Sequence, residues 1–337
     1  MKTPAFVAEV SANHLGRQER AAFIVDRAAA AGADGVKFQT YDPKRLVGNH
    51  KLVLEDGPWA GRKMLDLYKE AATPRSWLPD LFALARARGV VPFSSPFAPE
   101  DVDFLEGLDC PIYKIASFEI TDLDLIAYAA ATKKPLVIST GMAKLPEIED
   151  AVEVALRFGA EEITLLKCTS GYPHPVGETN LATMKDLGEY FGDARIVVGL
   201  SDHTLGITAA IAAVALGAVM IEKHLTIYRA DGGPDAAFSS EPGEFEAMVR
   251  AGREAYEAIG EVRYGPTESE ESQTKLRRAL WVVADVAAGE AFTRSNLRSA
   301  RPCLIPGAAL LPIGDYLGRV AARAIKAGTI FEPELIG

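Results

Sequence analysis

Short apolar runs alternate with helical patterns along roughly the first 260 residues of this 337-residue chain. The runs number eight and cover residues 6–11, 35–40, 90–95, 112–117, 136–140, 163–169, 196–201 and 219–224. Strands that alternate with helices form parallel sheets with the helices packed outside. Eight strand–helix units in about 260 residues is the size of a (β/α)8 TIM barrel. We therefore predict this α/β fold for residues 1–262, with a doubly wound open sheet as the alternative.

The helical patterns between the runs are amphipathic. Residues 20–31, 145–158 and 241–260 place apolar side chains three or four positions apart, which gives a helix one apolar face. Pro146 stands in the first turn of the second helix, where the missing N–H of proline would have no partner in any case. These segments are predicted to pack around the outside of the barrel.

The apolar periodicity ends after the last of these helices. Residues 263–277, RYGPTESEESQTKLR, are predicted to form an exposed linker. Residues 278–337 contain a weak repeat, in which Ala288-Gly289-x-x-Phe292 is followed by Ala327-Gly328-x-x-Phe331. Two related turn-and-strand pieces indicate a small β-rich second domain, and a unit of about 60 residues is only marginally stable alone.

Composition disfavours several classes of partner. The formal net charge of −10 argues against nucleic acid or an anionic membrane surface, although a few lysines could still bind a small anion. The three cysteines, Cys110, Cys168 and Cys303, show no CxxC spacing, which favours a reducing compartment. No run approaches the roughly 20 apolar residues of a membrane span, and the first residues show no leader pattern. We expect a cytoplasmic protein.

Two of the five histidines follow apolar runs in equivalent positions. His203 follows the seventh run and His224 ends the eighth, with 20 residues between them. The carboxyl ends of barrel strands meet at one rim, where the active sites of this fold lie. Two imidazoles there, with water and substrate in the remaining positions, suit a divalent ion such as Mn²⁺, Mg²⁺, Co²⁺ or Zn²⁺ that acts as a Lewis acid. Two hydrogen-bonded core histidines are the alternative.

Lysines and hydroxyl groups are predicted to meet at the same rim. Lys37 and Lys114 lie inside otherwise apolar runs, where an ammonium group is costly without a counter-charge. Seven of the eight runs end in serine or threonine, and such hydroxyls can bind the oxygens of a phosphate or carboxylate. We predict an anion site whose hydroxyl donors are Ser95, Ser117, Ser139, Thr140 and Ser201. A buried ion pair of the lysines with Glu9 or Glu119 is the alternative.

Two carboxylates complete the candidate site. Glu9 lies in the first run, and Asp235 lies in the glycine-rich segment DGGPD that follows His224. A carboxylate held near two lysines stays ionised and can accept a proton or orient a hydroxyl group. Plain charge balance for the lysines is the alternative.

Ordered motifs along the chain carry a family resemblance. They are AEVSANH, GADGVKFQTY, FSSPF, YKIASFEITDLDLI, ISTGM, LLKCTSGYP, GLSDHTLG, ALGAVMIEKHLT and DGGPD. Together they resemble the sialic acid synthase family, and the unit with SARP resembles its antifreeze-protein-like (SAF) domain. SANH, PWAGRKMLDLYKEA, FEITDLDLI and DGGPDAAFS most resemble the pseudaminate branch. The N-acetylneuraminate branch typically has Thr in place of Ser95 and Asn-x-Tyr in place of Ser170-Gly171-Tyr172.

The resemblance implies a metal-dependent enzyme that condenses phosphoenolpyruvate with an open-chain N-acyl amino sugar. The products would be a nine-carbon 2-keto acid and phosphate. In the pseudaminate branch the acceptor is 2,4-diacetamido-2,4,6-trideoxy-L-altrose. N-acetylneuraminate or legionaminate synthesis is the alternative within the family, and a non-catalytic polysaccharide-assembly protein is the alternative outside it. The implied metal is Mn²⁺, with Mg²⁺ or Co²⁺ as alternatives, bound by His203 and His224.

The resemblance also assigns roles to single residues. Glu9 would handle protons and Asp235 would orient the sugar, while Tyr172 would form a wall of the sugar pocket. Arg301 matches an arginine that reaches the active site of the other subunit, which implies a homodimer with each SAF domain over the partner barrel. The substrate-binding set implied is Lys37, Gln39, Ser95, Lys114, Ser117, Ser139, Ser170, Tyr172, Ser201 and Arg301.

Overall fold

A closed barrel of eight parallel strands forms the first of two compact units. The computed structural model describes residues 3–304 and 312–337, and the chain divides into units of residues 1–260 and 261–337. The barrel is closed by pairing of its last strand with its first, which confirms the predicted (β/α)8 fold. Its strands are β1 Ala5–Glu9, β2 Gly35–Thr40, β3 Val91–Pro96, β4 Tyr113–Ile115, β5 Leu136–Ser139, β6 Ile163–Cys168, β7 Ile196–Asp202 and β8 Met220–His224.

Helices follow the strands as the fold requires. Those of the first unit are α1 Gln18–Ala30, α2 Pro43–Leu46, α3 Met64–Ala71, α4 Leu78–Ala87, α5 Pro99–Glu106, α6 Leu123–Ala130, α7 Leu145–Phe158, α8 Leu181–Phe191, α9 Thr208–Ala215 and α10 Pro242–Ile259. In α7 the buried residues recur at helical spacing, as Ile148, Ala151, Val152 and Ala155. This spacing aligns them on one face that packs into the hydrophobic core around the barrel.

The register between neighbouring strands decides which side chains meet at the barrel mouth. Glu9 is paired with Lys37 of β2 and with His224 of β8, and the ends of β7 and β8 are also paired. Gly199 permits the close approach of these two strands, because a Cβ there would lie 2.4 Å from the carbonyl oxygen of Met220. A larger residue at position 199 would therefore push β8 away from β7.

The second unit contains a three-stranded antiparallel sheet. Its strands are β9 Ala279–Val282, β10 Leu297–Ala300 and β11 Thr329–Ile330, in the order β10-β9-β11. Phe292 and Phe331, the aromatic residues of the predicted repeat, pack edge to face with their ring centres 5.0 Å apart in a small buried cluster. The prediction of a small β-rich fold is confirmed. Residues 305–311 of the predicted domain 278–337 lie outside the described residues.

The ends of several elements differ from the sequence prediction. Ser11, Ser117, Thr140 and Thr169 each fall just beyond the last residue of their strand, because strand pairing ends before the chain turns into the following loop. Residues 263–277 are exposed and include the short helix α11 Glu268–Glu271. Within the described part of the chain, no helix has the length and apolar character needed to cross a membrane.

Candidate active site

A buried ion pair lies at the carboxyl end of β1 and β2. The Lys37 ammonium group is 2.7 Å from Glu9 Oε2 and 3.6 Å from Glu222 Oε1, and it lies 3.4 Å from the hydroxyl oxygen of Ser95. Burial opposes the charge on Lys37, but the two carboxylates outweigh it and raise the pKa of the lysine. Lys37 and Glu9 thus form the ion pair that was given as the alternative prediction. Glu222, the second carboxylate partner of Lys37, was not predicted.

Lys114 is arranged differently from Lys37. Its ammonium group donates to the Ser139 hydroxyl at 2.6 Å and to the Ile115 carbonyl at 3.1 Å. Among the described residues, Lys114 forms no salt bridge with Glu119, the partner that the alternative prediction proposed. Burial of this side chain lowers its pKa. A buried cation without a direct carboxylate partner is a place where an anionic ligand can supply the missing charge.

The predicted hydroxyl groups differ in what they contact. Ser117 and Ser170 face each other, with 3.0 Å between their hydroxyl oxygens. Gly141 makes room for this pair, since a Cβ at that position would lie 2.3 Å from the Cβ of Ser117. The Thr140 hydroxyl, by contrast, donates to the Leu166 carbonyl at 3.3 Å, so its predicted role as a ligand donor stays a prediction.

Ser201 of β7 and Glu222 of β8 are paired neighbours whose side chains are hydrogen-bonded. The Ser201 hydroxyl donates to Glu222 Oε1 at 3.0 Å, and both side chains are buried. Burial raises the pKa of Glu222, but the charges of Lys37 and Lys114 outweigh it and lower the pKa overall. Glu222 is therefore an ionised carboxylate beside Lys37. Glu222 is not among the predicted site residues, although its place two residues before His224 on an alternating strand is the pattern that could have indicated it.

His203 and His224 lie side by side at the ends of β7 and β8. Their ring centres are 5.3 Å apart with 59° between the ring planes. His203 Nδ1 lies 3.0 Å from the Thr169 carbonyl, so it carries a hydrogen, and Nε2 is the nitrogen that could bind a metal. Burial opposes a charge on His203, but Cys168 and the Thr169 carbonyl outweigh it and raise the pKa of this imidazole. Burial, followed by the charge of His203 and of the lysines, holds the pKa of His224 well below its usual value. The predicted convergence of the two imidazoles is present.

This arrangement fits a divalent metal ion. No hydrogen-bond partner for the buried His224 Nδ1 is found in the described residues, and a neutral imidazole with a free nitrogen is what metal binding requires. The two rings lie side by side with their centres 5.3 Å apart, so His203 and His224 are the residues that would hold such an ion. The described residues contain no cluster of three or more His, Cys, Asp and Glu side chains suited to a metal. Water and substrate would therefore complete the coordination.

A hydrogen-bonded chain connects Asp235 to Glu9. The Asp235 carboxylate accepts from the Ser11 hydroxyl and from the Ala12 N–H, and it lies 3.8 Å from His224 Nδ1. Gln39 donates to both Ser11 and Glu9, at 2.9 Å and 3.1 Å. Burial raises the pKa of both carboxyl groups, and Lys37 opposes this effect at Glu9. Gln39 thus links the two predicted catalytic acids, and its predicted contact with substrate stays a prediction.

Aromatic rings enclose the histidine pair. Tyr172 packs on His203 with ring centres 4.5 Å apart, and Phe238 lies 5.0 Å from His224. Trp59 packs on Tyr172 at 5.6 Å and donates from Nε1 to the Pro234 carbonyl at 2.9 Å. Tyr172 therefore lies against the histidine pair, and its role as a wall of the sugar pocket stays a prediction. Trp59 and Phe238 were missed as site residues, although both lie in quoted motifs, PWAGRKMLDLYKEA and DGGPDAAFS.

Glu119 is a second carboxyl group that was not assigned a catalytic role. No group among the described residues donates to its buried Oε2. Burial raises the pKa of Glu119 to about 7, against a smaller lowering by Lys114. A carboxyl group with a pKa near neutrality can both donate and accept a proton, which marks it as a candidate general acid or base.

Arg301 belongs to the second unit. It is exposed and directly follows Ala300, the last residue of β10. Its predicted role concerns another copy of the chain, so it stays a prediction here.

Two sequence profiles match the chain. The NeuB family profile matches residues 24–264, and the SAF domain profile matches residues 277–336. The chain belongs to the NeuB family. The predicted membership in this family of sialic acid synthases is therefore confirmed.

Relatives with known names agree with this assignment. The chain is 40% identical to the pseudaminic acid synthase of Helicobacter pylori, over 98% of this chain and 96% of the relative. It is 34% identical to the N,N'-diacetyllegionaminic acid synthase of Campylobacter jejuni, over 100% and 99% of the two chains. The solved N-acetylneuraminic acid synthetase of Leptospira borgpetersenii is 29% identical and superimposes with a TM-score of 0.73 over 81% of this chain and 90% of that one. The predicted enzyme class is confirmed, and enzymes of this family are in general metal-dependent.

Proposed function

We propose that this protein is a pseudaminic acid synthase, which condenses phosphoenolpyruvate with 2,4-diacetamido-2,4,6-trideoxy-L-altrose. The observation that carries the proposal is the placement of a lysine-and-hydroxyl cluster beside a pair of imidazoles at one barrel mouth. The identity of 40% to a pseudaminic acid synthase, against 34% to a legionaminic acid synthase, favours this acceptor over the alternatives within the family.

The cationic cluster is suited to phosphoenolpyruvate. Lys37 and Lys114 supply two ammonium groups, and Ser95 and Ser139 lie within 3.4 Å and 2.6 Å of them. In this proposal the Ser117–Ser170 pair and Ser201 provide further donors to the phosphate and carboxylate oxygens. Glu222 limits the excess of positive charge, which lets phosphate leave after the reaction.

The acceptor aldehyde belongs beside the histidines. His203 and His224 would hold the metal, and a bound divalent cation would polarise the aldehyde oxygen. In this proposal Tyr172 and Phe238 exclude water from this side, because their rings pack on the imidazoles, and Trp59 packs behind Tyr172. Exclusion of water lowers the local dielectric constant and so strengthens the electrostatic effect of the charged groups on the reacting atoms.

The reaction then requires one new carbon–carbon bond and one water molecule. C3 of the enol phosphate attacks C1 of the aldehyde, positive charge develops at C2, and water adds there. The C–O bond to phosphate breaks, which leaves a 2-keto acid and inorganic phosphate. We assign to Glu9 the proton of the attacking water or of the sugar hydroxyl, and Asp235 orients the sugar. Glu119 is a further candidate for proton transfer because its pKa lies near neutrality.

Product analysis tests the proposed function directly. Purified protein is incubated with phosphoenolpyruvate, Mn²⁺ and one of three acceptors: the diacetamido-trideoxy-altrose, N-acetylmannosamine or the legionaminate precursor. We expect mass spectrometry to detect pseudaminic acid, and phosphate release to be fastest with the first sugar. Faster product formation with either other sugar would reassign the acceptor. No phosphate release with any of the three would favour the non-catalytic alternative.

Mn²⁺ is the metal that we propose, and the histidine pair provides its test. Replacement His224→Ala removes one of the two imidazole ligands and should weaken Mn²⁺ binding by more than about 10-fold. Binding is measured by isothermal titration calorimetry, which does not depend on turnover. The control is His50→Ala, because His50 is exposed and, among the residues that the structure describes, its ring contacts the Lys44 carbonyl through Nε2. Equal Mn²⁺ affinity of both variants would contradict the assignment, and tighter Mg²⁺ or Co²⁺ binding would change the metal.

We further propose a cytoplasmic homodimer in which Arg301 completes the active site of the partner. The guanidinium group keeps its charge and offers several donors to an acyl or carboxylate oxygen. Mixing Arg301→Ala protein with His224→Ala protein should then restore activity, since one of the two sites in a mixed dimer has both residues intact. Each variant alone should be weakly active. Absence of recovery in mixed dimers, after subunit exchange is verified, would contradict the cross-subunit role.

A further inference from the structure

A cavity of about 350 Å³ opens at the barrel mouth on the side of β2, β3 and β4. We call it the β2–β4 pocket. Tyr41, Phe97 and Phe118 line it, each shortly after the end of one of these strands, and Arg75 lines it from the connection between β2 and β3. These four residues have no role in the site described above. The loops after barrel strands are where this fold places its ligand-binding groups.

The pocket adjoins the proposed reaction centre. Glu119 is part of its lining, and the Glu119 N–H donates to the carbonyl of Ala116, the residue before Ser117 of the proposed phosphoenolpyruvate site. Tyr41 packs against Phe97 with ring centres 5.1 Å apart and directly follows Thr40, the last residue of β2. The pocket therefore borders the part of the proposed site that β2 and β4 contribute.

The charges of the pocket disfavour an anionic ligand. Arg45 forms an ion pair with Glu100 at 2.7 Å, and Arg75 forms one with Asp101. Besides these two arginines, the lining contains four carboxyl groups, those of Asp42, Asp101, Glu119 and Asp122. A phosphate or carboxylate would meet acids and engaged cations here, whereas a neutral ligand with N–H and O–H donors would find acceptors. The cationic cluster around Lys37 and Lys114 remains the better place for phosphoenolpyruvate.

The walls of the pocket favour a ligand that also carries methyl groups. Phe118 is 58% exposed although it is a large apolar residue, and Phe97 lies in the same lining. Pockets that bind small molecules combine apolar and aromatic walls with a few polar groups. An acylamino sugar has this mixture, since each acetamido group carries one N–H and one methyl group.

We propose that the β2–β4 pocket binds the end of the acceptor sugar that is remote from the aldehyde, with its acylamino and methyl groups against Phe118 and Phe97. This inference rests on the proposed function and adds to it the surface that distinguishes a 6-deoxy acceptor from N-acetylmannosamine. The 6-deoxy sugar ends in a methyl group where N-acetylmannosamine ends in a hydroxymethyl group. An apolar wall at that end therefore selects the deoxy sugar.

The test is replacement of Phe118 by alanine. The side chain is largely exposed, so the fold does not depend on it. We expect the KM for the diacetamido sugar to rise roughly 10-fold, which is a typical effect of a lost apolar contact in a specificity pocket, and the KM for phosphoenolpyruvate to stay unchanged. The matched control is Phe158→Ala, since Phe158 is 47% exposed at the end of α7 and is not in the lining.

A second variant fills the pocket instead of opening it. Ala98 contributes to the lining and has an extended backbone that accepts leucine. Ala98→Leu should lower kcat/KM for the diacetamido sugar while calorimetric Mn²⁺ affinity and the KM for phosphoenolpyruvate stay unchanged. Unchanged acceptor kinetics in both variants of an active enzyme, or an equal rise in the KM for phosphoenolpyruvate, would overturn the pocket assignment alone. Wild-type protein that is inert with every sugar would instead refute the proposed function, and this inference with it.

Discussion

Replacement of Glu9 by glutamine is expected to lower kcat by about 10²–10⁴-fold, the usual contribution of a positioned general acid or base. Glutamine keeps the size of the side chain and can still accept from Gln39 Nε2, which lies 3.1 Å from Glu9 Oε1. It cannot take up a proton. Steady-state kinetics that follow phosphate release measure the effect, and the melting temperature of each variant checks that the fold is retained.

Glu222→Gln is the comparison that separates proton transfer from charge balance. Both Glu9 and Glu222 are buried and close to the Lys37 ammonium group, at 2.7 Å and 3.6 Å. If Glu9 only neutralises Lys37, the two variants should behave alike and should mainly change the KM for phosphoenolpyruvate. If Glu9 transfers a proton, the large loss of kcat should belong to Glu9→Gln alone, and Glu9→Asp should recover part of it. A rate of Glu9→Gln close to that of the wild type would remove Glu9 from the proton path.

Much of the barrel and of the histidine pair could be predicted because both follow from local patterns. An apolar run of strand length, followed by an amphipathic helix, identifies each unit without any knowledge of its neighbours. The end of each run then gives the rim at which His203 and His224 meet. The two strand ends are indeed paired, and the rings lie 5.3 Å apart.

The remaining parts of the site depend on contacts between distant segments. Trp59 lies in a segment without periodicity, and its place in the site follows from a hydrogen bond to Pro234, 175 positions away. Glu222 looks like any polar residue in a strand until its neighbour Lys37 is known. The β2–β4 pocket is formed by three loops, the helices α2 and α5 and a 3₁₀ helix, so no single stretch of sequence contains its pattern.

A buried ion pair behind the histidines leads to the second large effect. The Lys223 ammonium group is 2.6 Å from Asp202 Oδ2 and 2.6 Å from the Thr204 carbonyl, and the two charged side chains are 1% and 0% exposed. Replacement Lys223→Met leaves the Asp202 carboxylate buried without its counter-charge. We expect the free energy of unfolding to fall by about 3–5 kcal/mol, the usual effect of removing one partner of a buried pair. Urea denaturation of the barrel measures it.

The control for this prediction is Lys185→Met, which breaks the exposed pair of Lys185 and Glu189 on α8 and should cost less than about 1 kcal/mol. The double replacement of Lys223 by methionine and Asp202 by leucine removes both buried charges and should recover most of the stability. It should not recover Mn²⁺ affinity, because the Asp202 carboxylate also accepts from the Thr204 N–H at 2.9 Å and so fixes the chain on both sides of His203. Full recovery of both quantities would mean that the pair stabilises the fold without positioning the histidines, since the metal site would then form equally well without either charge.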